Sequence, residues 1–191
     1  LDPQEEYSLE GYKKNEKKFR MTFGKLVEKI YGYKKYGKVL DVGAGYGLLS
    51  LILYEKGYDI KIIEPMNKSY YLNSKKIKHH RTTIEEFLKK NKTKYDVILL
   101  MDVIEHLRDP LKILSRLRSI LNKKGVIVIQ TPNYKSFMAR ICINWSWWMV
   151  SDHKFLFSPR SIRLMLQKAG FSISYLSTYE NIYDFKKNLD G

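Results

Sequence analysis

Residues 38–47 of the chain read KVLDVGAGYG, a short apolar strand followed at once by a glycine-rich turn. Residues 48–56 continue as a predicted helix that Gly57 ends. Glycine at positions 43, 45 and 47 lets the backbone approach a ligand closely and adopt positive φ angles. A glycine turn between a strand and a helix therefore predicts a ligand at the carboxyl edge of an α/β sheet.

Strands and helices alternate through the rest of the chain. The predicted strands are 59–63, 77–81, 96–101, 126–130 and 171–177, and the predicted helices are 67–75, 84–90, 111–121 and 159–169. This alternation is typical of a single doubly wound, mostly parallel α/β sheet with helices on both faces. A further helix over 5–31 predicts an N-terminal helical extension, 1–34, ahead of the main domain, 35–191.

The composition indicates one folded, basic domain. A chain of 191 residues with 44% hydrophobic residues can bury a core and is too apolar to be disordered. The formal net charge of +15 permits an RNA partner, although the many short lysine clusters fit a solvated surface better. The single cysteine, Cys142, excludes an internal disulfide. Together with the absence of a long apolar run, it leads us to expect a cytoplasmic protein.

An acidic residue ends the second predicted strand and narrows the choice of ligand. Glu64 directly follows residues 60–63, which read IKII. A carboxylate at this position can accept two hydrogen bonds from a ribose diol. A dinucleotide fingerprint would require a third glycine where the chain has Leu48, so the spacing disfavours NAD.

Residues 39–47 resemble motif I of class I S-adenosylmethionine-dependent methyltransferases, and Glu64 matches the ribose-binding acid of that family. The resemblance covers residues 35–178. It implies a Rossmann-like sheet that ends in antiparallel strands, and S-adenosyl-L-methionine as the cofactor. The residues it places along the cofactor are Asp41, Gly43, Ala44, Gly45, Gly47, Glu64, Thr83, Ile84, Met101 and Asp102.

The stretch after the fourth strand carries acids and a histidine. Residues 95–110 read YDVILLMDVIEHLRDP and resemble the branch that contains ubiquinone-biosynthesis O-methyltransferases and glycan and small-molecule methyltransferases. If a helical turn begins at 102, Asp102, Glu105 and His106 share one face of it. Since they follow a strand of a parallel sheet, we expect them at its ligand-binding edge.

A long connection, 134–157, precedes the last helix and contributes a second histidine, His153. Its many large apolar residues predict a lid that shapes an acceptor pocket, with packing over the sheet edge as the simpler alternative. Tryptophans beside basic residues also suit a membrane surface, but a peripheral membrane contact is given little weight.

Two functional interpretations of the histidines remain open. In the first, His106 or His153 is a general base for the acceptor. In the second, Asp102, Glu105, His106 and His153 form a divalent metal site, since a similar set occurs in small-RNA 3′-end methyltransferases. The base is preferred, because Asp102 stands where that family has a longer glutamate. Purely structural roles, a helix cap for His106 and an anchor for His153, are the alternatives.

The resemblance implies a methyltransferase that uses S-adenosyl-L-methionine, with O-methylation of a small-molecule, glycan or lipid-linked acceptor as the expected reaction. An RNA 2′-O-methyltransferase and a non-catalytic module that only binds S-adenosylmethionine are the alternatives. The sequence does not indicate the acceptor or the oligomeric state.

Overall fold

The computed structural model describes residues 8–66, 70–72, 77–142, 145, 147–148 and 151–180. They form two compact units. The first unit contains the described residues up to Met101 together with Ser119–Ile129. The second unit contains Asp102–Arg118 and the described residues from Gln130 onward. No helix within these ranges is long and apolar enough to cross a membrane.

The first unit is built on a parallel sheet. Its strands are β1 Lys38–Val42, β2 Asp59–Ile63, β3 Lys78–His80, β4 Tyr95–Met101 and β5 Leu121–Gln130. They lie in the order β3-β2-β1-β4-β5. β1 pairs in parallel with β2 and β4, and β2 with β3. β5 runs the same way, because Asn122 binds Asp96 at the start of β4 and the Gln130 carbonyl accepts from Asp102 just beyond its end.

The N-terminal helix is divided in two. α1 Leu9–Lys14 begins after Ser8, whose hydroxyl accepts a hydrogen bond from the Gly11 amide at 3.1 Å. α2 Glu16–Tyr33 follows, and Asn15 separates the helices by donating its side-chain amide to the Gly11 carbonyl at 3.0 Å. The predicted single helix over 5–31 is therefore wrong at this point, since an asparagine that binds the preceding turn ends a helix.

The central strands form the core of the first unit. Both faces of β1 and β4 are buried, as expected for a parallel strand between helices, and Val39 and Val97 are 0% exposed. The remaining helices are α3 Leu48–Glu55, α4 Ile84–Lys90, α5 Pro110–Ile120, α6 Phe137–Ile141 and α7 Pro159–Lys168, with 3₁₀ turns at Tyr70–Leu72 and Ile104–His106. Most of the predicted helix 67–75 lies outside the described residues.

Two predictions at the C-terminal side of the sheet are wrong. β5 begins at Leu121, so the start of the strand predicted over 126–130 is wrong by five residues. The antiparallel strand expected over 171–177 is not formed, and residues 171–180, all of them described, contain no strand. Gly170, at φ +85°, ends α7, and the Phe171 amide bonds back to the Leu166 carbonyl at 2.9 Å. An alternating apolar pattern becomes a strand only beside a partner strand.

Candidate functional site

The glycine loop after β1 adopts a conformation that requires its glycines. Gly43, Gly45 and Gly47 have φ angles of +72°, +54° and +84°. A Cβ atom at Gly47 would lie 2.5 Å from the Leu72 side chain, whereas one at Gly45 would meet nothing within 4 Å. The space in front of Gly45 is therefore open, which lets a ligand approach the backbone there.

Glu64 lies at the end of β2 with its carboxylate against the glycine loop. The residue is 6% exposed. Its Oε2 accepts a hydrogen bond from the Gly45 amide at 3.0 Å, and its Oε1 accepts one from the Met66 amide at 2.8 Å. These bonds fix the carboxylate in place. Each oxygen keeps a second lone pair that could accept from a ligand hydroxyl.

Asp41 supports the loop from within the core. It is 2% exposed, and its Oδ2 accepts a hydrogen bond from the Ser50 hydroxyl at 2.7 Å. Burial raises the pKa of Asp41 to about 6, the bond from Ser50 opposes this, and the charge of Glu64 adds to it. Asp41 thus joins β1 to α3 beneath the loop.

The other residues predicted to line the cofactor have structural partners in the first unit. Thr83 is the N-cap of α4, and its hydroxyl accepts from the Glu86 amide at 3.3 Å. Ile84 is 4% exposed. Ala44 and Met101 are partly buried and pack against the core of the sheet. Of the residues predicted to bind the cofactor, the glycine loop and Glu64 are therefore the ones joined to each other by a direct hydrogen bond, from Gly45 to Glu64.

In the second unit, Glu105, His106 and His153 come together as an acid–histidine cluster. One ligand atom from each residue lies within 4.8 Å of the other two. The two histidine rings are 4.8 Å apart, centroid to centroid, in an edge-to-face arrangement. The backbone holds the cluster, because the Glu105 carbonyl accepts from the amides of Lys154 at 2.8 Å and Phe155 at 3.2 Å.

The acid–histidine cluster contains buried polar atoms whose bonding is incomplete. Glu105 Oε1 and His153 Nδ1 have no hydrogen-bond partner among the described residues. Glu105 Oε2 accepts from the Thr131 hydroxyl at 3.0 Å. His106 Nδ1 lies 3.1 Å from the Asp152 carbonyl, to which it can only donate, so its Nε2 presents a lone pair. Unpartnered buried atoms are costly, and here they point to a ligand.

Burial shifts the pKa values of Glu105 and His153 in the acid–histidine cluster. Burial raises the pKa of Glu105 to about 7, and the charge of Asp102 adds to this. Burial also lowers the pKa of His153, and the neighbouring His106 lowers it further. The lowered pKa of His153 favours the neutral imidazole, the form that accepts a proton or binds a metal, while the charge of Asp152 opposes this shift.

Gln130 forms hydrogen bonds with both the main chain and the side chain of Asp102. The Asp102 amide donates to the Gln130 carbonyl at 3.0 Å, and the Gln130 side-chain amide donates to Asp102 Oδ2 at 3.0 Å. Asp102 has a φ of +53°, a conformation that aspartate tolerates better than most residues. Burial raises the pKa of Asp102. Asp102 is not among the residues whose ligand atoms meet in the acid–histidine cluster.

Comparison with known proteins decides the family. Residues 14–176 match the family model described as a methyltransferase domain. A solved structure with the same fold is a SAM dependent methyltransferase from Archaeoglobus fulgidus, at TM-score 0.67 and 19% identity, covering 90% of this chain and 85% of that one. This chain belongs to the class I S-adenosylmethionine-dependent methyltransferases.

Relatives of this methyltransferase include ubiquinone biosynthesis O-methyltransferases. The one from Rickettsia canadensis is 29% identical over 180 residues, which are 85% of this chain and 75% of the relative. The one from Actinobacillus pleuropneumoniae serotype 5b is 37% identical over 108 residues, 50% of this chain and 46% of the relative. The matched part thus spans about half the length of some of these relatives.

The family confirms the fold and enzyme class that the glycine loop and Glu64 predicted for this methyltransferase. Sequence reasoning missed the roles of Gln130 and Thr131, which hold Asp102 and Glu105. Their position directly after β5, at the edge where β4 ends, is the signal that could have found them. The predicted alternative role of His106 as a helix cap is filled by Asp109, whose Oδ1 accepts from the Lys112 amide at 3.0 Å.

Because the pKa of Asp41 is raised, we expect the stability of the cofactor-free methyltransferase to fall as the pH rises. A raised pKa means that the folded state binds the proton more tightly than the unfolded state. The resulting stabilisation is complete below about pH 4 and is lost as the pH rises to about 6. Relative to Asp41→Asn, the free energy of unfolding of the wild type should fall by about 3 kcal/mol across this range.

Urea unfolding between pH 4 and pH 7 would measure this difference. Asp59→Asn, a change at an exposed carboxylate of β2, serves as the matched control. If the curves of Asp41→Asn and the wild type ran parallel over the whole range, Asp41 would not carry the proton as we expect.

Proposed function

We propose that this methyltransferase transfers the methyl group of S-adenosylmethionine to a hydroxyl oxygen of a small molecule. The observation that carries the choice of oxygen is the acid–histidine cluster after β4. A hydroxyl has to lose its proton as it is methylated, and a positioned base or a bound cation can assist that loss. The named activity of the ubiquinone biosynthesis O-methyltransferases supports the same reaction type.

The glycine loop and Glu64 would hold the cofactor. The open space in front of Gly45 fits a ligand in close contact with the backbone. The unused lone pairs on the Glu64 carboxylate fit a ribose diol. Asp41, Thr83, Ile84, Met101 and Asp102 would contribute through the backbone positions that they fix. When bound, S-adenosylmethionine supplies an electrophilic methyl group on its sulfonium sulfur.

His106 is the side chain best prepared to accept the acceptor's proton. His106 Nδ1 donates to the Asp152 carbonyl, which leaves the lone pair on Nε2 for the acceptor hydroxyl. His153, the second catalytic candidate, is held neutral beside it. The chain's own contribution is thus to orient the hydroxyl, receive its proton and exclude water.

A divalent cation in the same cluster is the second candidate. Its ligands would be Glu105 Oε1, His106 Nε2 and His153 Nδ1, a set of two imidazoles and one carboxylate that several divalent metals accept. The unpartnered Oε1 and Nδ1 atoms favour this interpretation. Bound there, a cation would lower the pKa of an acceptor hydroxyl. Asp102, which Gln130 holds, would stay outside the ligand set.

An acceptor screen with methyl-labelled S-adenosylmethionine tests the proposed function. The panel contains phenols and catechols, glycans, lipid-linked hydroxyl compounds and RNA, each with and without chelator. We expect label on the oxygen of a small hydroxyl compound. Label on RNA, with binding that weakens steeply as salt rises, would replace this proposal with the RNA alternative. Cofactor binding without transfer to any acceptor would favour a binding module.

A further inference from the structure

An aromatic cluster joins α1 to the glycine loop. Tyr12 of α1 stacks on Phe19 of α2, with ring centroids 4.3 Å apart and planes 8° apart. Tyr12 also meets Tyr46 of the glycine loop, with ring centroids 5.3 Å apart and planes inclined at 60°. Phe19 is 7% exposed and belongs to the core, whereas Tyr12 and Tyr46 are half-buried. Tyr12 therefore connects a fixed core residue to the loop.

The same helices also contact the Tyr70–Leu72 turn, which supports the loop from another direction. Lys13 Nζ lies 4.4 Å from the centre of the Tyr70 ring. The Tyr71 hydroxyl donates to Glu16 at 3.4 Å, and the Tyr71 amide donates to the Tyr46 carbonyl at 3.0 Å. The main chain and side chain of Tyr46 are thus both held by residues outside the loop.

Tyr46 is the residue through which side-chain packing can restrain the glycine loop. Three of the residues between Gly43 and Gly47 are glycines with left-handed φ angles, which gain much conformational freedom when released. Ala44 has only a methyl group, so Tyr46 carries the one large side chain through which packing can restrain the loop. A restrained loop binds its ligand more tightly because less ordering is needed on binding.

We propose that Tyr12 is a positioning residue for S-adenosylmethionine, which acts through Tyr46 to hold the glycine loop in its binding conformation. This inference rests on the proposed function, because it assumes that the loop binds the cofactor. It assigns a task to the N-terminal helices: α2 is anchored by Arg20, which bridges Glu16 at 2.8 Å and Glu55 of α3 at 3.1 Å. α1 carries Tyr12 to the loop.

The test compares Tyr12→Leu with Tyr12→Phe. Leucine removes the aromatic contact with Tyr46, whereas phenylalanine keeps it. We expect Tyr12→Leu to raise the Kd for S-adenosylhomocysteine by about 3- to 10-fold, the range for an aromatic pair, and to speed its dissociation. Turnover at saturating S-adenosylmethionine should stay near the wild-type value. Tyr12→Phe should restore both the affinity and the dissociation rate.

Tyr36→Leu is the matched control, since Tyr36 follows α2 and is 74% exposed. Calorimetry and stopped-flow displacement give affinity and rate, and thermal unfolding reports any general loss of stability. A lower Tm with unchanged S-adenosylhomocysteine affinity in Tyr12→Leu overturns the positioning role alone. Absence of binding by the wild type overturns the proposed function and this inference with it.

Discussion

Replacement of His106 by alanine is expected to lower kcat by at least about 100-fold while S-adenosylhomocysteine affinity stays within about threefold of the wild type. The side chain lies in the acid–histidine cluster of the second unit, and its hydrogen bond goes to Asp152. The glycine loop and Glu64, the proposed cofactor residues, belong to the first unit. Steady-state kinetics and calorimetry on the same preparation measure the two effects separately.

Companion variants separate the general base from the metal site. Glu105→Gln and His153→Ala remove the other two candidate ligands, while Asp152→Ala keeps the carbonyl that binds His106 and serves as the control. A metal site predicts that His106→Ala, Glu105→Gln and His153→Ala all weaken Mn²⁺ or Zn²⁺ binding in calorimetry, and that chelator abolishes wild-type activity. A general base predicts a loss centred on His106 and no effect of chelator.

We expect the general-base outcome, because the Asp152 carbonyl accepts from His106 Nδ1 and leaves Nε2 to receive the acceptor's proton. In the sequence, the preference for a base rests on Asp102, which is shorter than the glutamate it replaces. In the structure, Gln130 holds Asp102 outside the cluster, which leaves three candidate metal ligands instead of four. Their ligand atoms lie within 4.8 Å of one another and would have to move closer to share one cation with bonds of about 2.0–2.2 Å. Full activity in His106→Ala would contradict both mechanisms.

The sheet and its glycine loop were predictable because their signals are local. β1, the loop and α3 follow one another within a single stretch, and the positive φ angles of the loop favour glycine. β4 also matches its prediction, since a continuous apolar run suits a buried parallel strand. β2 matches as well, although Lys61 interrupts its isoleucines. The helix predicted over 84–90 is α4, and the structure adds that Thr83 directly before it caps the helix.

The missed features depend on contacts between distant segments. Thr131 reaches Glu105 only because β5 lies beside β4 in parallel register, and no local pattern encodes that register. The meeting of His153 with His106 needs the backbone bonds from Lys154 and Phe155 to Glu105. In the sequence, only resemblance to known families grouped the two histidines. Residues 171–177 show the reverse case, a strand pattern without a partner strand among the described residues.

Glu64→Ala is expected to weaken binding of S-adenosylhomocysteine by about 1.5–3 kcal/mol, the range for hydrogen bonds to a charged group, or about 10- to 150-fold. The carboxylate is fixed at the carboxyl edge of the sheet by the amides of Gly45 and Met66. In the proposed complex its remaining lone pairs accept the ribose hydroxyls. Calorimetry measures the loss, and NADH, which the absence of glycine at Leu48 disfavours, should not bind.

Glu64→Gln separates the two roles of this side chain. Glutamine keeps one oxygen that can accept from Gly45 or Met66, but it lacks the charge and the second acceptor that a diol needs. If Glu64 acts on the ribose, Glu64→Gln should lose most of the affinity that Glu64→Ala loses, while its glycine-loop amides keep wild-type hydrogen-exchange protection. If it acts only by holding the loop, glutamine should restore affinity and protection together. Tight NADH binding or wild-type S-adenosylhomocysteine affinity in Glu64→Ala would overturn the assignment of this carboxylate to the cofactor.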